Sequence, residues 1–280
     1  MFQVKRIRGI PAIVLAMMIF FSIGCQSRVQ KGGEKSTIDI VTADTLLSGM
    51  VLSLLPPGRA NVTAIMPPGQ CPGHYDIKLS DIRKVKSADL VVSVRGRPFM
   101  EKAETDSGKL LLLDEQDRNW MAPDSYIFGL NLLAAELSVR FPKEKQQIAT
   151  LRKKTIDDIT NRARVLSEKI KQAGISGMPI LASSLQAEPL EWMGFHVVGK
   201  YGRPEAMSAK DIVRLSQIGR DSKAVMVVDN LQSGPDAGKG IAETLGVQHV
   251  ILSNFPSEKG YAATLRANVD AVLAAVKTRG

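Results

Sequence analysis

The residues best suited to chemistry in this 280-residue chain lie in PPGQCPGHYD, residues 67–76, where Cys71 and His74 stand at C-x-x-H spacing. A thiolate and a neutral imidazole could take two corners of a tetrahedral zinc site or part of a copper(I) site. Three prolines and two glycines among those ten residues exclude a regular helix there. The pair alone is half a site. Asp229, in VVDNLQSG, is the candidate third ligand from a later part of the chain. Each residue also has a plainer reading: Cys71 as a small buried side chain, Asp229 as a strand-end residue capping a turn. A further alternative is a thiol enzyme with His74 as base. Against it, no resolving cysteine and no Ser/His/Asp or paired-carboxylate arrangement accompanies the pair. His196 and His249 sit within strand patterns and read as packing or surface residues, and Trp192 and Met193 read as core.

The chain start bears on the thiol. Lys5, Arg6 and Arg8 precede the uncharged run GIPAIVLAMMIFFSI, which is short for a spanning helix and reads as an export signal. Gly24 directly precedes Cys25, a pattern that resembles a bacterial lipoprotein signal, with Ser22 where leucine is usual. Cys25 is then the lipidated first residue of the mature chain. The sequence has two cysteines, so lipidation leaves Cys71 unpaired in an oxidising compartment, and a lone thiol there needs a use.

The formal charge of +9 includes those three leader residues; without them, 34 Lys and Arg face 28 Asp and Glu. The basic residues are spread out with few aromatics between them, which disfavours nucleic acid and suits an anionic membrane surface as neighbour. SRVQKGGEKST, residues 27–37, is polar and unpatterned, as a flexible tether would be.

The elements that must position these residues follow from hydrophobic periodicity. Short β-type runs, IDIVTA, NVTAIM, DLVVSV and KLLLLD, alternate with helical spacing in TLLSGMVLSLL and in SDIRKVKSA, where Ser80 is placed as N-cap. The alternation returns in PILAS, FHVVG, AVMVVD and HVILS, with SAKDIVRLSQIGRDS and GKGIAETLG between. Such alternation implies parallel sheets covered by helices on both faces. Between the halves, residues 142–174 place Ile148, Leu151, Ile156, Ile159, Val165, Leu166 and Ile170 at mostly helical intervals amid dense charge, predicting one long amphipathic helix. The expected organisation is a signal at 1–24, a tether at 25–37, an α/β lobe at 38–141, the linker helix at 142–174 and a second α/β lobe at 175–280. Two lobes joined this way leave a cleft outside the carboxyl ends of the strands, where ligands bind in open α/β sheets.

The order of lipobox, PPG loop with His74, SDIRKVKSADLVV, W-x-AP, linker helix and YAATLRANVDAVLAAV resembles the family of metal-binding lipoproteins that feed zinc and manganese ABC importers. The resemblance implies two lobes with parallel four-stranded sheets, capture of a transition metal ion (zinc foremost; copper, manganese or iron as alternatives) and delivery to a permease and its ATPase. It implies no catalysis, a lipid-anchored monomer on the extracytoplasmic side, and no nucleic-acid partner. His74 falls at the family's first ligand position. The second, a histidine before a tryptophan, is Asn119; the third falls nearest Gln186 or Glu188; the fourth, an aspartate after the last strand, is Asn254. Amides offer only neutral carbonyl oxygens to a metal. Together with Asn230 these residues also suit hydrogen bonding to a metal chelate, a corrinoid or another organic solute, the alternative cargo.

Overall fold

The computed structural model describes residues 37–277. The signal, Cys25 and all but the last residue of the tether lie outside the described residues. The first sheet holds β1 (Ile38–Thr42), β2 (Ala60–Ala64), β3 (Leu90–Val94) and β4 (Leu110–Leu113) in the order β2-β1-β3-β4, and every pairing is parallel. The second holds β5 (Pro179–Ser183), β6 (His196–Tyr201), β7 (Met226–Asn230) and β8 (Gln248–Leu252) in the order β6-β5-β7-β8, again all parallel. Parallel strands covered on both faces read as continuous apolar runs. The inner strands β3 and β7 accordingly bury every residue, whereas the edge strand β2 is only half-buried.

Helices α1 (Thr45–Leu54), α2 (Leu79–Ser87), α3 (Pro98–Glu101) and α4 (Pro123–Arg140) belong with the first sheet, and α6 (Ala187–Trp192), α7 (Ala209–Asp221), α8 (Lys239–Leu245) and α9 (Tyr261–Lys277) with the second. Asp44 caps α1 by accepting the Leu47 N–H at 3.0 Å. Ser80 is not the cap expected for α2. The helix begins two residues earlier than that cap implies, with Lys78 as N-cap, whose N–H is accepted by Asp81 Oδ2 at 3.3 Å. A carboxylate three residues into the helix satisfies an open donor of the first turn and offsets the positive end of the dipole.

The helix expected at 142–174 is a 3-10 turn, Pro142–Glu144, followed by α5 (Lys145–Gln172). At 1.5 Å per residue its 28 residues extend about 42 Å. Ile148, Ile159, Leu166 and Ile170 are buried, while Leu151 and Ile156 are half-buried. Val165, placed on the apolar stripe from its spacing, is 58 % exposed. The outer face carries i,i+4 ion pairs, Lys153 with Asp157, Arg162 with Asp158 and Arg164 with Glu168. α5 packs on α4 and also reaches α1 and α9, so it touches helices of both sheets. One apolar core therefore runs from Ile40 and Val92 of the first sheet to Val228 and Leu252 of the second, and a smaller cluster around Leu215 and Ile241 lies behind the second sheet.

Candidate metal and solute cleft

Because all eight strands are parallel within their sheets, the segments that follow their carboxyl ends converge. They line a cleft of about 780 Å³ to which every strand end contributes: Leu46 after β1, Cys71 to Gly73 after β2, Arg95 to Pro98 after β3, Asp114 to Met121 after β4, Ser184 and Leu185 after β5, Arg203 after β6, Asn230, Gln232 and Ser233 after β7, and Asn254 and Phe255 after β8. Trp120 forms part of the wall, its ring lying on α4 at Gly129, where an added Cβ would stand 2.7 Å from the indole. A glycine there is what admits the ring.

Cys71 is buried and lines the cleft. Its carbonyl accepts the His74 N–H at 3.0 Å, closing the C-x-x-H segment into a tight turn. The His74 imidazole is more than half exposed, and its Nε2 stands 3.2 Å from Glu205 Oε1, a carboxylate that follows β6 in the second lobe.

Asp229 does not join them. It is fully buried, accepts the Tyr201 hydroxyl at 2.7 Å and the Gly238 N–H on both oxygens (3.1 and 2.9 Å), and lies 2.6 Å from His249 Nε2. With every lone-pair direction directed at the second lobe's own interior, it has nothing to offer an ion in the cleft. It lies next to the last residue of β7 and accepts the Gly238 N–H, and His249, on β8, is a further partner. Among the described residues no group of three or more His, Cys, Asp or Glu side chains converges to hold a metal.

The amide positions are spent on one another. Asn119 donates its backbone N–H to Glu188, and its Nδ2 to the Leu185 carbonyl and to Asn254 Oδ1 (2.8 Å), while its Oδ1 accepts the Met121 N–H at 2.9 Å. Ser125 donates its hydroxyl to the other oxygen of Glu188. Gln186 is fully buried and donates Nε2 to Asn230 Oδ1 (2.9 Å) and to the Leu252 carbonyl (3.2 Å), leaving its Oε1 without a partner. Asn230 donates to Ser233 Oγ at 2.6 Å. Asn119, Asn230 and Asn254 line the cleft; Gln186 and Glu188, expected there too, sit behind it. Asn119 belongs to the first lobe, and Leu185, Glu188 and Asn254 to the second, so this network fastens the lobes. The Thr45 hydroxyl donating to the Pro256 carbonyl at 2.9 Å, the Tyr261 hydroxyl donating to the Met121 carbonyl at 3.1 Å and the stacked rings of Tyr126 and Tyr261 add to it.

Sequence reasoning missed the arginines. Arg95, Arg97, Arg118 and Arg203 all line the cleft. Arg97 is held between two carboxylates, 3.1 Å from Glu115 and 3.8 Å from Asp44. Burial pushes both acids above the usual carboxylate range, with Arg97 opposing the shift. The signal that would have found two of these arginines is a repeated V-V-x-x-x-G-R-P, residues 91–98 and 197–204: each copy ends a strand and delivers its arginine, Arg97 or Arg203, to the same cleft.

Two parallel four-stranded α/β lobes bridged by one continuous helix, with a cleft at the strand carboxyl ends, define a two-lobed solute-binding scaffold. The chain belongs to the family described as zinc-uptake complex component A, periplasmic, whose model matches residues 40–275. A high-affinity zinc uptake system protein of Haemophilus influenzae is 44 % identical over 57 residues, 19 % of this chain and 17 % of that protein's length. The fold matches a crystal structure of ZnuA with a TM-score of 0.71 at 14 % identity, over 85 % of this chain and 99 % of that one. It matches a Cd-bound periplasmic metal-binding protein of Candidatus Liberibacter asiaticus with a TM-score of 0.73 at 13 % identity and the same coverage.

Proposed function

We propose that the chain is the extracytoplasmic receptor of an ABC importer, which captures a transition metal, zinc foremost, in the interlobe cleft and hands it to a permease driven by an ATPase. It performs no chemical step. Family membership across residues 40–275 and relatives named for zinc and cadmium support this reading. The observation that carries it is His74 Nε2 facing Glu205 Oε1 at 3.2 Å, one donor from each lobe. Two ligand atoms about 2.0–2.1 Å from one tetrahedral zinc ion stand roughly 3.3 Å apart, so this pair is spaced to share an ion. Cys71, in the same turn, is the proposed thiolate donor. Lipidation at Cys25 would hold the monomeric receptor at the membrane through the polar segment that follows it.

The test is elemental analysis of the mature protein isolated from the cell envelope without added metal or chelator, beside His74→Ala. Near-stoichiometric zinc in the wild type and its loss in the variant are expected. A metal-free wild type would contradict the proposal.

A further inference from the structure

The cleft is far larger than a bare ion requires. A single water takes about 30 Å³ of liquid volume and small-molecule sites span roughly 300–1,000 Å³, whereas this cleft holds about 780 Å³. Asn119 and Asn254, at two of the family's ligand positions, are hydrogen-bonded to each other rather than turned to the open volume.

The charge along that volume is unevenly spent. Arg95 pairs with Asp114 at 3.5 Å and Arg97 with Glu115 at 3.1 Å. Arg118 lies over the Phe128 ring, 4.6 Å from its centroid, and Arg203 lies on the backbone of Gly73, where an added Cβ would stand 2.3 Å from Nη1. Neither Arg118 nor Arg203 has a carboxylate partner among the described residues; Asp117 is the one lining carboxylate left over. Among the lining residues Trp120 keeps a buried Nε1–H with no acceptor, whereas the Arg97 Nε–H is turned toward Asp44 Oδ2 at 3.8 Å. A wall with two guanidinium groups free of carboxylate partners suits a solute rich in anionic oxygens, which guanidinium binds in bidentate fashion.

We infer that the cargo enters the cleft as an anionic complex, the metal already held by a small polycarboxylate, with Arg118 and Arg203 gripping carboxylate oxygens that the metal leaves free. The inference rests on the metal-receptor reading above and names the form in which that metal is taken. It also removes a difficulty of the donor set. His74 and Glu205 are exposed and do not line the cleft but adjoin it through Gly73 and Arg203, and they need supply only the positions that the chelator leaves open, so a full protein-derived shell is unnecessary.

Calorimetric titration of the metal-free full-length protein with zinc alone, citrate alone and equimolar zinc and citrate tests it, with Arg118→Gln/Arg203→Gln and His74→Ala as variants. Both arginines are at least partly exposed, and circular dichroism checks that the variants fold. Zinc with citrate is expected to bind at least tenfold more tightly than either component, and the affinity should fall with added salt. The double arginine variant should lose tenfold or more of that affinity while binding zinc alone as before. Wild-type protein that binds zinc alone as tightly as zinc with citrate would overturn the inference and leave the metal-receptor reading standing. So would a double variant that binds the mixture like the wild type. Citrate bound equally well without zinc and without His74 would overturn both, since the site would then take the anion alone.

Discussion

Asn119 and Asn254 occupy the second and fourth ligand positions implied by the family resemblance, and they touch across the cleft with Nδ2 to Oδ1 at 2.8 Å. Replacing both, Asn119→His with Asn254→Asp, should recreate zinc donors where two amides now latch the lobes. The separation is close to the roughly 3.3 Å that two ligands of one tetrahedral zinc ion need, so an opening of about half an ångström suffices. Structural zinc sites with four ligands are worth about 10–16 kcal/mol, or roughly 2.5–4 kcal/mol per ligand, so two new ligands contribute on the order of 5–8 kcal/mol. Asn119 gives up three side-chain hydrogen bonds, which at about 1 kcal/mol each takes back roughly 3 kcal/mol. The net gain of about 2–5 kcal/mol is a rise in zinc affinity of at least about 30-fold. Competition against a chromogenic chelator measures it. A double variant with wild-type circular dichroism and unchanged zinc affinity would refute the placement of these residues at the ligand positions.

Three other outcomes are expected. Asp229→Ala strips the acceptor from Tyr201, Gly238 and His249 in the second lobe's interior, and should cost about 1–3 kcal/mol in urea unfolding, as when a buried donor is left unpaired; an unchanged stability would contradict the buried role. Burial pushes the Asp81 carboxyl up, but hydrogen bonds from Lys84, Tyr75 and the Lys78 N–H together hold it below the usual carboxylate range. Its stabilising contribution is therefore complete above the unfolded value near 3.8 and is lost as pH falls through the lower folded value, so Asp81→Asn should flatten that part of a stability profile between pH 5 and 2, and an unaltered profile would count against it. Cys25→Ser should release the chain from the membrane fraction or leave an uncleaved precursor, and unchanged partitioning would remove the lipid anchor from the proposal.

The eight strands were legible because strands buried on both faces concentrate Val, Ile and Leu into short runs between turn residues. α4 was not. Its buried Tyr126, Leu130, Leu133 and Leu137 do stand at helical spacing, but the half-buried Ile127, Phe128 and Leu132 beside them widen the apolar face and blur that stripe. The misplaced α2 cap has a similar lesson: a serine is a good cap by type, but the Asp81 carboxylate reaching back to Lys78 is the stronger partner. Within the site, the C-x-x-H turn was legible since all its determinants are local. The fate of Asp229 depended on Tyr201 and His249, brought up on other strands of its sheet, and the amide latch joins residues from 66 to 135 positions apart. Neither has a local signature. The arginines of the two G-R-P copies did have one.

The most direct measurement of the central claim is anomalous diffraction at the zinc edge from crystals of the mature protein grown with zinc and citrate. One peak at the edge of the cleft within bonding distance of His74, with acid density extending toward Arg118 and Arg203, is the expected result. An empty cleft, or zinc bound only at surface positions away from His74, would contradict it.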